Sequence, residues 1–176
     1  MSYFKFCPNC ASQNIEFENH RKFECFDCGM VYYQNVAAAV AVIIIRNGEM
    51  LFTVRNREPK LGMLDLPGGF TDPDETAEQT CARELKEELN LIIDPEQFNY
   101  FQSFPNNYLY KGIPYKTEDL IFVTEFPENT ELKLEEDEIQ SVKWIKISEI
   151  NLDEIGFDSL RKAVQAFLVS GSKFQV

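Results

Sequence analysis

The segment from Gly69 to Leu91, GFTDPDETAEQTCARELKEELNL, places tight local demands on any fold that contains it. Thr76 and Gln79 have the spacing of a capping box, so a helix is predicted to begin near residue 76. Ala77, Cys81, Leu85 and Leu89 recur every fourth residue and form an apolar stripe that can pack on a sheet. Beside the stripe, Glu84, Glu87 and Glu88 fall within an arc of roughly 100°. Like charges at this spacing cost only about 0.2–0.5 kcal/mol, so the trio can be a hydrated face. It can equally offer oxygen ligands to Mg²⁺, which is usually held by one or two carboxylates with waters and substrate phosphates. Periodicity leaves both readings open. Just upstream, Leu66-Pro67-Gly68-Gly69 ends an apolar stretch with two residues that lack a β-carbon and let backbone approach a ligand closely.

Taken position by position, the segment resembles the Nudix hydrolase signature, which runs Gly, five residues, Glu, seven residues, then Arg-Glu-apolar-any-Glu-Glu-any-Gly-apolar. It matches at Gly69, Glu75, Arg83, Glu84, Leu85, Glu87, Glu88 and Leu91. Asn90 stands where the family has glycine, and Asn tolerates the left-handed conformation that ends a helix. Nudix-like binding proteins lose some of these glutamates; this chain keeps all of them.

A second pattern is Cys7-Pro-Asn-Cys10 followed, after fourteen residues, by Cys25-Phe-Asp-Cys28. Two such pairs have the spacing of a closed, four-thiolate structural Zn²⁺ site. The rival is thiol–disulfide chemistry, but the pairs lie outside a strand–helix redox context and no export leader is read at the N-terminus, so a cytoplasmic location is expected. A module of this size holds little apolar core, and metal binding should supply much of its folding free energy. Cys81 sits on the apolar stripe and reads as a small buried hydrophobe. His20, the single histidine, reads as a loop residue or a spare neighbour of the zinc. With no other histidine, proton removal near residue 84 falls to a carboxylate or to metal-bound hydroxide.

The 176 residues allow one ordinary domain plus a small module, with boundaries expected at 1–35 and 36–176. The longest apolar run, Val36 to Ile45, is too short to span a bilayer and reads as a buried strand; no membrane is expected. Acidic residues exceed basic ones, 29 against 17, giving a net charge of −12. That balance opposes a broad basic track, so no nucleic-acid polymer is expected as partner. Small phosphorylated ligands remain compatible, because bound cations invert the local field of an acidic site.

Val36–Ile45 and Met50–Val54 are predicted to form a hairpin about Asn47-Gly48. Leu91–Ile93, Asn99–Phe104, Leu120–Phe126 and Ser141–Ile147 are further predicted strands, and Ser159–Val169 a closing helix. This mixture implies an α+β class. The resemblance implies the same, as a Nudix α/β/α sandwich with a mixed sheet, preceded here by a small zinc ribbon.

The resemblance also implies roles. Glu84, Glu87 and Glu88 would hold catalytic Mg²⁺ or Mn²⁺, Arg83 would orient a glutamate, Gly68 and Gly69 would shape a phosphate-facing loop, and Glu75 would support that loop. A later carboxylate would serve as base or ligand: Glu138 is the choice, with Glu136 and Glu118 behind it, although acidic runs such as Leu134–Glu138 are commonly solvated loops. Among Phe101, Phe104, Tyr108, Tyr110 and Tyr115, one or two could stack on a base or nicotinamide ring, with Phe104 and Tyr108 chosen; aromatics on strands are more often core. A zinc ribbon before a Nudix domain is similar to NADH pyrophosphatases and to a related group acting on ADP-ribose or FAD. The stretch Tyr100 to Tyr108 matches the NADH-type motif only loosely and lacks its tryptophan. The implied activity is hydrolysis of the diphosphate of an ADP-containing dinucleotide or nucleotide sugar, giving two monophosphates. A triphosphate pyrophosphohydrolase and a non-catalytic ligand sensor are the alternatives, and zinc-ribbon relatives imply a homodimer.

Overall fold

The structure, a computed structural model, describes residues 4–19, 21–110, 112–127 and 130–170; His20 lies outside them, and so does the side chain of Tyr110. The chain divides into two units, Met1–Val36 and Ala37–Val176.

The first unit carries a three-stranded antiparallel sheet of β1 (Ile15–Glu18), β2 (Lys22–Cys25) and β3 (Val31–Tyr33). Its core is small: Cys7, Phe23 and Cys25 are buried, with Phe4, Ile15, Phe17 and Met30 packed against them. Among the described residues, two of its three buried side chains are thiols.

The second unit is built on a mixed sheet. Its strands are β4 (Ala37–Arg46), β5 (Glu49–Arg55), β6 (Leu64–Asp65), β7 (Asn99–Tyr110), β8 (Ile113–Glu125) and β9 (Ile139–Lys146). The order is β6-β5-β4-β8-β7, with β9 paired to β5; β4 and β8 run parallel, and the other pairs are antiparallel. Asn47 and Gly48 both have positive φ, at 51° and 77°, as the predicted hairpin turn requires.

Helices cover both faces. Along β4, Val40, Val42 and Ile44 join the layer under α1 (Ala77–Leu89), while Ala41 and Ile43 join the layer under α2 (Asp158–Ser170). Alternation therefore buries both sides of one strand, which explains why Val36–Ile45 reads as a continuous apolar run. Helix α1 starts as expected: Thr76 and Gln79 exchange side-chain and backbone hydrogen bonds in a capping box. It ends at Asn90, whose φ of 54° is left-handed and whose N–H donates to Lys86 O at 3.0 Å.

Leu91–Ile93 is not a strand, contrary to expectation. The Leu91 N–H returns to Leu85 O at 3.0 Å, and Leu91 and Ile93 are buried in the α1 layer while Ile92 is 74% exposed. Its alternation serves packing beneath the helix, with no ladder beside it. Strands β7 and β8 run well past the expected limits, because their polar ends pair with each other from Pro105↔Glu118 to Tyr110↔Ile113. Among the described residues, no helix is long and apolar enough to cross a membrane.

Candidate active site

Strand β4 pairs with β5 only next to their turn, at Ile45↔Met50 and Arg46↔Glu49. Further along, the glycine loop takes the vacated edge: Val40 N–H donates to Gly69 O at 2.8 Å and Val42 N–H to Pro67 O at 2.9 Å. The approach is close enough to dictate residue type. A β-carbon on Gly68 would lie 2.2 Å from Val40 O, and its φ of +147° also excludes ordinary side chains. A β-carbon on Gly69 would lie 2.3 Å from Glu84 Oε1. One residue is thus fitted to the sheet and the next to a carboxylate of α1.

Glu88 turns into the same crevice, and its Oε2 accepts from Gly68 N–H at 3.1 Å. Burial holds the Glu88 carboxyl well above its ordinary range; Glu84, Asp65 and Glu138 push it further, against the Gly68 N–H. Glu84 is raised too, first by burial and then by Glu87 and Glu138, while Arg83 pulls it down. Arg83 organises the outer side. Its Nε donates to Glu75 Oε1 at 2.9 Å, Nη1 to Glu84 at 2.8 Å and to Glu87 at 3.1 Å, and Nη2 to Phe70 O at 3.0 Å. Glu75, held low chiefly by Arg83, also accepts from Thr80 Oγ1 at 3.0 Å, so it fixes the arginine to the loop.

Glu138 reaches the site through backbone contacts. Glu135 N–H donates to Glu88 O at 3.0 Å and Lys133 N–H to Leu89 O at 3.0 Å, which docks the acidic segment on the free carbonyls of α1. Asn56 N–H then donates to Glu138 O at 2.8 Å, and Asn56 Nδ2 to Glu136 O at 2.7 Å. Glu138 and Glu88 line one narrow crevice with Asp65, Arg55 and Arg57, and Arg57 ion-pairs with Glu138. Glu118 is half-buried on β8, between two residues of that strand, Thr117 and Asp119, that line the neighbouring cleft.

That cleft has a volume of about 120 Å³ and opens on the other side of the glycine loop. Phe70, Tyr108 and Phe157 wall it, with Tyr108 5.7 Å from Phe70 and 5.9 Å from Phe157 between ring centroids. Its polar lining includes Arg55, Asp65, Asn106 and Asp119. Arg55 Nη1 meets Asp65 Oδ2 at 2.5 Å, yet burial outweighs this pairing and pushes the Asp65 carboxyl up to about 6.

The loop and helix therefore bring together Gly68, Gly69, Glu84, Glu88, Arg83 and Glu138, and Tyr108 faces the adjoining cleft. Glu87 is at the rim, turned to Arg83 with its side chain 60% exposed. Phe104 is placed elsewhere: it packs in the α2 layer around Ile121 and Leu160 and is not among the residues lining the cleft. Phe101 is in the same layer, against Phe167. Asp65, Arg55, Arg57, Asn106 and Asp119 escaped sequence reading. Charged residues at period-two positions inside otherwise buried strands, such as Asp119 before Leu120-Ile121-Phe122, were the available signal.

The donor set suits a hard divalent cation. Oxygen ligands predominate, and Glu88 is a half-buried carboxylate with like charges around it and a backbone N–H as partner.

In the first unit, the four sulfurs of Cys7, Cys10, Cys25 and Cys28 lie within 4.8 Å of one another. Cys7 to Cys28 is 3.7 Å and Cys10 to Cys25 is 3.6 Å. A tetrahedral site with Zn–S bonds of ~2.3 Å has S···S edges of about 3.8 Å, so the cluster is arranged to hold a metal. Each pair forms the same turn: Ala11 N–H donates to Cys7 O, and Gly29 N–H to Cys25 O, both at 2.9 Å.

Residues 35–167 match the NUDIX domain profile. Over 150 residues the chain is 27% identical to the "NAD-capped RNA hydrolase NudC" of Vibrio atlanticus, covering 83% of this chain and 51% of that protein. The chain spans about half the length of the curated relatives it matches. A NUDIX hydrolase from Nitrosomonas europaea superposes with a TM-score of 0.72 at 20% identity, over 96% of this chain and 92% of that one, which shows the shared fold. A bifunctional NMN adenylyltransferase/ADP ribose pyrophosphatase from Francisella tularensis, complexed with AMP and a Mn ion, superposes with a TM-score of 0.60 at 26% identity, over 79% of this chain and 43% of that one. With the profile matched across most of its length and every signature carboxylate in place, this chain belongs to the NUDIX family.

Proposed function

We propose that the protein hydrolyses the diphosphate of an ADP-containing dinucleotide or nucleotide sugar, such as NAD(H), ADP-ribose or FAD, with the help of a divalent cation. The observation that carries this reading is the glycine loop: one turn of backbone lines the carboxylate crevice on one side and the aromatic cleft on the other. A nucleoside in the cleft would therefore leave its diphosphate beside Glu84 and Glu88. The names of the NudC relatives and of the Francisella pyrophosphatase support the same substrate class.

Glu84, Glu87 and Glu88 would hold Mg²⁺ or Mn²⁺, which when bound neutralises the diphosphate and orients water. Glu88 is fixed by Gly68 N–H, and Arg83 holds Glu84 and positions Glu87. Glu138, which lines the same crevice, would take the proton of the attacking water as oxygen adds to one phosphorus and the bridging P–O bond breaks. Gly68 and Gly69, whose missing β-carbons let the loop lie against Val40 and Glu84, would shape the phosphate-facing backbone, and Tyr108 would offer a ring face in the cleft. The cysteine cluster would hold structural Zn²⁺, a site that persists in a reducing compartment such as the cytoplasm. A homodimer is part of the same proposal, tested by sedimentation.

With a net charge of −12, free dinucleotides are preferred over capped RNA. Incubation with Mg²⁺ and NADH, NAD⁺, ADP-ribose, FAD, nucleoside triphosphates or NAD-capped RNA tests the reading, with products identified. Two monophosphates from a dinucleotide are expected. Pyrophosphate release from triphosphates alone would establish the triphosphatase instead, and no product from any substrate would leave a ligand sensor.

A further inference from the structure

We infer that the side-chain amide of Asn106 reads the edge of a flat heterocycle in the aromatic cleft, selecting ligands that present a hydrogen-bond donor beside an acceptor. The ligand class rests on the nucleotide reading above; the selecting geometry does not. Asn106 lies on β7 opposite Thr117 of β8 and lines the cleft. Its Nδ2 donates to Asp119 Oδ2 at 3.0 Å, and its Oδ1 accepts from Asn107 N–H at 2.8 Å. Turned over, the amide would set an oxygen against a carboxylate and an NH₂ against an N–H. Its orientation is therefore fixed from both ends.

The anchor is itself immobilised. Asp119 is 7% exposed and also accepts from Thr117 Oγ1 at 2.7 Å and from Ser159 Oγ at 2.6 Å; Ser159 is buried in the first turn of α2. Asp119 thus ties β7, β8 and α2 together behind the amide, as a positioning residue. After these bonds Asn106 retains one Nδ2 hydrogen and one Oδ1 lone pair. The rings of Phe70, Tyr108 and Phe157 supply apolar faces that hold a flat ring without regard to its edge. The amide is what distinguishes one edge from another.

Two halves of the proposed substrates carry the matching pair. Adenine offers an amine next to a ring nitrogen, and nicotinamide offers a carboxamide. Hypoxanthine puts a carbonyl where adenine has the amine and an N1–H where adenine has a lone pair, which reverses the order that the fixed amide matches, and nicotinic acid puts a carboxylate oxygen in place of the carboxamide NH₂. A bidentate amide contact of this kind discriminates by about 5- to 150-fold.

The test is the affinity of the full-length, zinc-loaded protein for AMP against IMP, and for NMN against nicotinic acid mononucleotide, measured by calorimetry. The wild type is expected to prefer AMP over IMP, or NMN over nicotinic acid mononucleotide, by about 5- to 150-fold; the pair that discriminates identifies the half bound. Asn106→Ala should bring that ratio close to one. Asp119→Asn, nearly isosteric, should shrink it because the amide is free to turn. Equal or undetectable binding within both pairs overturns the inference, as does an Asn106→Ala protein that melts cooperatively and keeps the ratio. Should Asn106→Ala fail to fold, an unchanged ratio in Asp119→Asn overturns it. Ratios that behave as expected in a protein that releases no product from any dinucleotide would refute the hydrolase reading and leave Asn106 in place.

Discussion

The four thiols of the first unit and the three signature carboxylates of the second are brought together in opposite ways. The sulfurs lie within 4.8 Å of one another, whereas Glu87 turns out to Arg83, Glu84 pairs with Arg83, and Glu88 accepts from Gly68 N–H. Thiols have weak hydrogen-bonding alternatives, and two equivalent turns, 7–11 and 25–29, aim them at one point. Carboxylates on one helix diverge by about 100° per residue and have an arginine to bind, so converging them requires a cation. The first arrangement suits a metal that holds a fold, and the second a metal that arrives with substrate.

The contrast can be broken most severely by removing zinc. A strong chelator, or Cys7→Ser, is expected to unfold the first unit, because metal binding supplies on the order of 10 kcal/mol to such modules and, among the described residues, three form its buried core. The second unit should still melt cooperatively, a separation that differential scanning calorimetry reads directly. A Cys7→Ser protein that purifies folded and free of zinc would defeat the structural-zinc assignment.

Next in size, Glu88→Gln and Glu87→Gln should each lower kcat by about 10²–10³-fold, as when one preorganised charge-stabilising group is lost. Steady-state kinetics at saturating Mg²⁺ checks this, and unchanged turnover in both would remove the metal assignment.

The carboxylate crevice should also reveal itself through stability. Glu84 and Glu88 are raised above 4.5, and Asp65 from 3.8 to about 6, so folding favours their protonated forms. Their contribution is fully present below the ordinary carboxylate range and is lost as pH rises through the shifted values. Without added Mg²⁺, Glu88→Gln is expected to raise Tm at pH 7.5 by a few degrees, on the order of 1 kcal/mol, and to do little at pH 4. Added Mg²⁺ should stabilise the wild type at pH 7.5 and leave the variant nearly unmoved. A variant less stable than the wild type at pH 7.5 without Mg²⁺ would contradict the strained-carboxylate account.

The smallest effect compares the two thiol turns. Ala11 holds φ of 59° where the second turn has Gly29 at 72°. Ala11→Gly should relieve the left-handed strain and stabilise the zinc-bound unit by about 0.5–1 kcal/mol, seen as slower zinc loss to a chelator. Faster loss would mean that the alanine methyl group packs usefully.

Local chemistry in the sequence carried far. The Thr76 and Gln79 cap, the left-handed Asn90 and the Asn47-Gly48 hairpin are decided by residues within a few positions of each other, so spacing was enough to find them. Leu91–Ile93 shows where this fails: alternation describes which side chains are buried and says nothing of whether a neighbouring strand exists. Phe104 makes a related point, since only the packing of the α2 layer decides that it is half-buried there and does not line the cleft. Asp65, Arg55 and Asn106 belong to the site through contacts between distant segments, for which a single sequence holds no spacing.

By itself the sequence determined the helix that bears Glu84, Glu87 and Glu88, the four thiols at zinc-binding intervals, and a family, because each is written in short-range order. Tertiary structure alone decided that the Gly68-Gly69 backbone lies against β4, that Glu138 faces Glu88, and that Asp119 fixes Asn106 at the cleft. Those facts depend on burial and on hydrogen bonds across β4, β7, β8 and α2, and burial is a property of the packed molecule.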